Sequence, residues 1–103
     1  AGIAFLARKA GERLVPTIHV TSHLRHVAPT GPMQVEAATL GAGLEAYFAT
    51  APKVRSYILH DQGRLRRHVA VFIDGELLLD KKDLGRRVAP TSEIYVMQAL
   101  SGG

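Results

Sequence analysis

The sequence predicts an α+β domain: a mixed sheet of four to five strands with one main helix packed across it. Three observations lead there. In Glu93-Ile94-Tyr95-Val96-Met97-Gln98, side chains alternate between the two faces of a strand, and both faces are largely apolar. That is the pattern of a central strand covered on both sides. Leu40, Leu44, Tyr47 and Phe48 fall at i, i+4, i+7 and i+8, which is one face of a helix. Asp74-Gly75 separates two apolar runs, the strongest short-range hairpin signal.

The elements follow in chain order. Residues 1–13 close on Arg8-Lys9-Ala10-Gly11-Glu12-Arg13, polar and weakly patterned, and are expected to be a flexible leader. From Leu14 to about Val27, Ile18, Val20, Ser22 and Leu24 alternate with Thr17, His19, Thr21 and His23, giving a strand with one apolar face. Pro16 suits its beginning. Pro29-Thr30-Gly31-Pro32 reads as a turn, and Met33 to Ala37 alternates again, so a hairpin is expected. Thr39 is placed as a helix N-cap. Gly41 and Gly43 weaken the helix that follows by about 1 kcal/mol each relative to alanine, so its apolar face must be stabilised against a sheet. Pro52 interrupts the pattern, and Val54, Tyr57 and Ile58 resume it for a turn or two. His60-Asp61-Gln62-Gly63 is a break. Val69, Val71 and Ile73 share a strand face, and Glu76-Leu77-Leu78 is the short return strand.

Residues 79–92 form a polar connection holding Lys81, Lys82, Arg86 and Arg87. The domain is expected to span 14–100, leaving Ser101-Gly102-Gly103 as a flexible tail with no apolar surface to bury. Strand runs around one helix make an α+β domain. With the final strand central and beside the first, and the helix across one face, the arrangement is a β-grasp.

Composition narrows the function. The chain has 103 residues, 47% of them hydrophobic, enough for one domain with an ordinary core. The absence of cysteine excludes disulfides, thiolate metal sites and a cysteine nucleophile. No apolar run approaches the ~20 residues of a membrane span, and no basic region precedes Ile3-Ala4-Phe5-Leu6, so neither membrane nor secretion is expected and the cytoplasm is. A net charge of +4 and a pI near 9.9 would suit nucleic acid or an acidic protein. Three of the five histidines, His19, His23 and His26, share one strand region, but no cysteine or carboxylate completes a metal site, and a solvent-facing polar strand side is expected. His68 and Asp61 have no Ser or Cys nucleophile motif beside them. Arg64, Arg66 and Arg67, with Lys53 and Arg55, lack an accompanying nucleic-acid motif, and Tyr57 alone could stack; they are expected to form a basic docking rim. Neither a phosphate-binding loop nor a G-x-G-x-x-G is present, so no nucleotide binding by this chain, and no cofactor, is expected.

Two stretches resemble the ubiquitin-like sulfur carriers, the MoaD/ThiS-like family that includes the small subunit of molybdopterin synthase and the thiamine sulfur carrier. Residues 59–75, from Leu59-His60-Asp61-Gln62-Gly63-Arg64-Leu65-Arg66-Arg67-His68 through Val69-Ala70-Val71-Phe72-Ile73-Asp74-Gly75, are similar to the D-x-G-x-L-R-R-x-V-x-V-F-x-N-G run of bacterial members. The ending Ala99-Leu100-Ser101-Gly102-Gly103 matches the family's terminus. The likeness covers about residues 16–103. Asp74 stands where asparagine is usual, and residues 1–15 lie outside the pattern.

The resemblance implies a carrier rather than an enzyme. Its implied chemistry sits at Gly103, whose carboxylate is adenylated by an E1-like adenylyltransferase and converted to a thiocarboxylate. Leu100, Ser101 and Gly102 would thread the partner's channel, where glycine permits close backbone approach, while Arg64, Arg66 and Arg67 would dock. ATP and magnesium belong to the activating partner. A sulfur donor and an acceptor enzyme, such as a synthase large subunit, complete the implied set of partners. A protein modifier and a non-covalent interaction module with the same fold are the alternatives.

Overall fold

Alternation in the sequence becomes strand pairing in space. The computed structural model describes residues 14–20, 28 and 31–98. The leader, residues 21–27, the pair Pro29-Thr30 and the stretch Ala99 to Gly103 lie outside the described residues. β1 (Thr17–Val20) pairs antiparallel with β2 (Met33–Gln34), Thr17 opposite Gln34 and Ile18 opposite Met33. The expected strand through Ala37 is therefore only two residues long. Beyond Gln34 the chain turns to bury Val35 and to bring Thr39 to the helix start.

α1 (Leu40–Thr50) begins where Thr39 places its hydroxyl oxygen 3.2 Å from the Ala42 N–H. This satisfies one of the donors that a helix start leaves without a partner. α2 (Pro52–Ile58) follows after a single residue. It is a seven-residue helix, about two turns and as expected, and it can begin at Pro52 because proline at a first helical position forfeits no hydrogen bond and has the right φ in advance. β3 (Val69–Ile73) and β4 (Glu76–Leu77) form the predicted hairpin. Asp74 at φ 52° and Gly75 at φ 86° are the two consecutive left-handed residues that its tight turn requires. β5 (Glu93–Gln98) closes the sheet, whose strand order is β2-β1-β5-β3-β4.

β5 is central, as expected: parallel to β1 from Thr17–Glu93 to Val20–Val96, and antiparallel to β3 from Val69–Gln98 to Ile73–Ile94. Cover on both of its faces is not found. Ile94 and Val96 are fully buried, whereas Tyr95 and Met97 are 43% and 41% exposed. The helices supply Leu44, Tyr47, Phe48, Val54 and Ile58 to the core that contains Ile18, Val69, Val71, Ile94 and Val96. Among the described elements none is left for the opposite face. The Tyr47 hydroxyl is buried in that core without a hydrogen-bond partner among the described residues, and burial raises its pKa above the ordinary phenol range.

The connection from residue 79 to 92 runs over the start of α1. The Leu40 N–H donates to the Arg86 carbonyl (2.8 Å), the Gly41 N–H to the Leu84 carbonyl (2.7 Å) and the Val88 N–H to the Ala38 carbonyl (3.0 Å). A Cβ on Gly41 would sit 3.0 Å from the Leu84 carbonyl oxygen. One on Gly43 would meet only Val35, Ala37 and Ile18 side chains, from 3.4 Å outward.

Two stability predictions follow from this packing. Phe48→Ala should destabilise the protein by about 3–5 kcal/mol in chemical denaturation, as for other buried aromatics; a loss below about 1 kcal/mol would show that Phe48 is not a core residue. Gly41→Ala should destabilise even though alanine favours helix by about 1 kcal/mol, because backbone must move to admit the methyl group. Gly43→Ala should be neutral or stabilising by up to that amount. Equal responses from the two variants would contradict the close approach at Gly41.

Candidate functional site

The uncovered sheet face and the end of the sheet where β5 stops hold the features that could engage another molecule. Directly paired residues in neighbouring strands project to the same face. His19 lies opposite Tyr95, Tyr95 opposite Phe72, and Phe72 opposite Leu77. These four form a row across β1, β5, β3 and β4, roughly 14 Å long at ~4.8 Å per strand. The His19 ring stacks on Tyr95, with centroids 4.2 Å apart and planes 5° from parallel. Its Nε2 lies 2.6 Å from the Glu93 carboxylate. Met97, opposite Ala70, extends the apolar surface toward the end of β5.

The start of β5 is held by Asp74. Its carboxylate accepts from the Glu93 N–H and from the Ser92 hydroxyl, both at 2.9 Å. The Asp74 N–H donates to the Glu93 carbonyl at 2.9 Å. Ser92, 2% exposed, accepts from the Ala89 N–H at 2.8 Å through its hydroxyl oxygen, and its carbonyl accepts from the Thr17 N–H. The departure from asparagine at this position therefore has a use. Both carboxylate oxygens act as acceptors, whereas an amide nitrogen could not take the Ser92 proton.

The far end of β5 is basic. Gln98 pairs with Val69, and the loop leading into Val69 carries the arginines. Arg64, Arg66 and Arg67 line one cleft of about 430 Å³, together with Lys81 and Lys82 from the long connection. The expected rim is thus concave, and its lysines come from a distant part of the sequence. Lys53 and Arg55, grouped with these arginines from sequence, do not line it. Arg55 instead pairs with Glu45 at 2.5 Å and lies over the Phe48 ring, 5.6 Å from its centroid. The hydrogen bond from Glu45, and then its charge, raise the Arg55 pKa. His68 lines the cleft and Asp61 does not, and no hydrogen bond joins the two. Leu100, Ser101, Gly102 and Gly103 lie outside the described residues, as do His23 and His26. Among the described residues no three His, Asp or Glu side chains gather as metal ligands, and no helix is long and apolar enough to cross a membrane.

No family model and no curated protein matches the chain. Solved structures do. SAMP1 from Haloferax volcanii superposes with a TM-score of 0.73 at 27% identity, over 85% of this chain and 98% of its own. The Amycolatopsis orientalis BexX/CysO complex contains a chain with a TM-score of 0.76 at 16% identity, over 86% of this chain and all of that one. CysO from Mycobacterium tuberculosis gives 0.72 at 19% identity, over 82% and 99%. The chain has the ubiquitin-like β-grasp fold of these proteins. The resemblance first drawn from residues 59–75 and from the glycine ending is therefore borne out in the fold, whose neighbours are SAMP1 and CysO. Of the features just described, sequence alone missed the apolar row and the two lysines of the cleft. Phe72, Leu77, Tyr95 and Met97 were visible as alternate-face apolar residues, and the Lys81-Lys82 doublet was visible too, but neither signal says what lies opposite.

Asp74→Ala should destabilise the domain by about 1–3 kcal/mol, the range for stranding buried hydrogen-bonding groups. It should also perturb the Glu93 and Ser92 amide resonances before more distant ones. Unchanged stability together with unchanged Glu93 shifts would show that β5 is positioned without this carboxylate.

Proposed function

We propose that this protein is a ubiquitin-like sulfur carrier that serves as the substrate of an ATP-dependent activating enzyme. The observation that carries this reading is β5. It is paired on both sides as far as Val96 and with β3 as far as Gln98, at the end of the sheet where the apolar face meets the arginine cleft, and in sequence it is followed within five residues by Gly103. The Gly103 carboxylate is a poor electrophile. In the proposed cycle it attacks the α-phosphorus of ATP held by an E1-like adenylyltransferase, with its Mg²⁺, and pyrophosphate leaves. Sulfide-level sulfur from the donor, as HS⁻, then attacks the acyl-adenylate carbonyl and AMP leaves, which yields the thiocarboxylate. An acceptor enzyme, such as a synthase large subunit, takes the sulfur into a molybdopterin, thiamine, cysteine or thionucleoside product. These are cytoplasmic reactions.

The docking surface in this proposal is the row from Tyr95 to Leu77 with Met97, flanked by Arg64, Arg66 and Arg67. A contiguous exposed apolar patch is characteristic of protein interaction sites. Among the neighbours, CysO in the Amycolatopsis orientalis structure is found in complex with BexX. A second reading is protein modification through the same activated glycine. It is favoured by the two archaeal neighbours at 27% and 25% identity, both SAMP1, the small archaeal modifier protein 1.

Deleting Gly102 and Gly103 should abolish ATP-dependent adenylate formation by the cognate activating enzyme and leave thermal stability within a few tenths of a kcal/mol. A truncated protein that still supports its pathway would sink both readings. Intact mass of protein from its own host separates them: sulfur in place of one oxygen supports the carrier, and isopeptide adducts on lysines of other proteins support the modifier. Partner affinity should fall with added salt, since exposed charges are screened over about 10 Å at 0.1 M. Met97→Glu should weaken docking at every salt concentration. Unchanged affinity after replacing the three arginines together would remove them from the interface.

A further inference from the structure

One cleft gathers a large positive charge among the described residues. Arg64, Arg66, Arg67, Lys81 and Lys82 line the cleft with a single carboxylate, Asp80. Five fixed cations against one anion leave it at +4, which is the formal net charge of the whole chain. The eight cations and eight carboxylates elsewhere in the sequence cancel in number.

The cleft is held by backbone bonds rather than draped on the surface. The Leu65 N–H donates to the Lys81 carbonyl at 3.0 Å, tying its two walls together, and Leu65 is 2% exposed. The His60 N–H donates to the Arg64 carbonyl (2.7 Å) and the Arg66 N–H to the Ile58 carbonyl (2.9 Å). The Lys81 ammonium donates to the Val69 carbonyl. Asp80 turns its carboxylate to the Lys82 backbone N–H at 2.9 Å, so it neutralises none of the side-chain cations by direct contact. Arg66 gives its Nε–H to the Ser56 carbonyl at 2.6 Å, which orients its guanidinium and leaves the terminal nitrogens available. Among the described residues, Arg64, Arg67 and the Lys82 ammonium have no hydrogen-bond or ion-pair partner.

We propose that this cleft binds a small anion of two or more linked phosphates, either free, as pyrophosphate or tripolyphosphate, or as the phosphate chain of a nucleotide. Planar guanidinium groups match phosphate oxygens in paired hydrogen bonds. A concavity of this volume is within the range of small-ligand sites. No Phe, Tyr or Trp lines it, and its only rings are the imidazoles of His60 and His68, so the five fixed cations and hence the phosphates carry most of the recognition. Linked phosphates carry several charges in a small volume, which suits a single cleft lined by five cations; carboxylates along an extended acidic peptide are spread over a longer span. This inference stands independently of the carrier function and does not use Gly103.

The test is titration of the ¹⁵N-labelled full chain with tripolyphosphate, with ATP, with sulfate and with a synthetic Asp/Glu peptide of matched charge. Saturable shifts confined to the amides of residues 60–68 and 80–82 are expected with tripolyphosphate. Arg67→Ala combined with Lys82→Ala, both exposed positions, should weaken binding about tenfold or more, as the loss of charge-assisted contacts implies. Arg86→Ala with Arg87→Ala, an equal loss of charge outside the cleft, should leave it unchanged. Equal affinity for ATP and tripolyphosphate would support the free phosphate chain as ligand, and much tighter ATP binding would support a nucleotide source. Shifts spread over residues 53–55 and 86–87, equal effects of the two double variants, or tighter binding of the peptide or sulfate than of tripolyphosphate would each overturn the proposal.

Discussion

The pairing of β5 with both β1 and β3 is the constraint from which the remaining geometry follows. β5 is parallel to β1 and antiparallel to β3, with Val20 beside Val96 and Val69 beside Gln98. A strand antiparallel to its neighbour must leave where that neighbour begins. The end of β5 therefore lies at the start of β3, and the segment feeding β3, residues 60–68, is obliged to sit beside it. That segment carries Arg64, Arg66 and Arg67. The proximity of the basic cleft to the exit of β5 thus follows from topology and needs no separate cause. The same logic places the β3–β4 turn at the beginning of β5, where Asp74 meets Ser92 and Glu93.

The long connection resolves a second constraint. Between β4 at the sheet edge and β5 at its centre the chain must cross the start of α1. That helix has no acidic residue in its first turn, and Thr39 supplies one hydroxyl to its unpaired N–H groups. The carbonyls of Arg86 and Leu84 accept from Leu40 and Gly41. A crossing segment thereby acts as a cap, and the helix tolerates a poor helix former at Gly41 because any side chain there would displace the connection. The same segment swings Lys81 and Lys82 against the arginine loop through the bond between Leu65 and Lys81.

Local signals in the sequence translated faithfully into structure. Thr39 caps the helix, Leu44, Tyr47 and Phe48 are buried by it, Asp74-Gly75 turns the hairpin, and the final strand is central. Each of these is written within a few residues by hydrogen-bonding groups, helical spacing or backbone freedom. What could not be read depends on residues far apart in the chain. Alternation in β5 specified two apolar faces, but whether a face is covered depends on where the helices go, and both went to the side of Ile94 and Val96. Arg64 and Lys81 meet only because β3 and the connection are folded onto one another. Lys53 and Arg55 were grouped with the arginines by charge alone, and helix α2 turned Arg55 toward Glu45 instead.

The uncovered face also bounds how strongly it can bind. Tyr95, Met97 and Leu77 are each a little under half exposed, so completing their burial yields about 1 kcal/mol apiece on the usual 1.5–3 kcal/mol for a whole side chain. The His19 ring already shields one side of Tyr95, which lowers that further. Three such gains fall short of the 4–15 kcal/mol that association costs in lost freedom of motion. An apolar row of this size cannot hold a partner unaided. On the carrier reading, stable engagement must also draw on the arginine cleft at the end of the sheet where β5 stops. On the carrier reading this division suits a protein that must be released after each transfer: the sheet face orients, the charges attract from a distance, and the partner's hold on the last residues ends when the chemistry does.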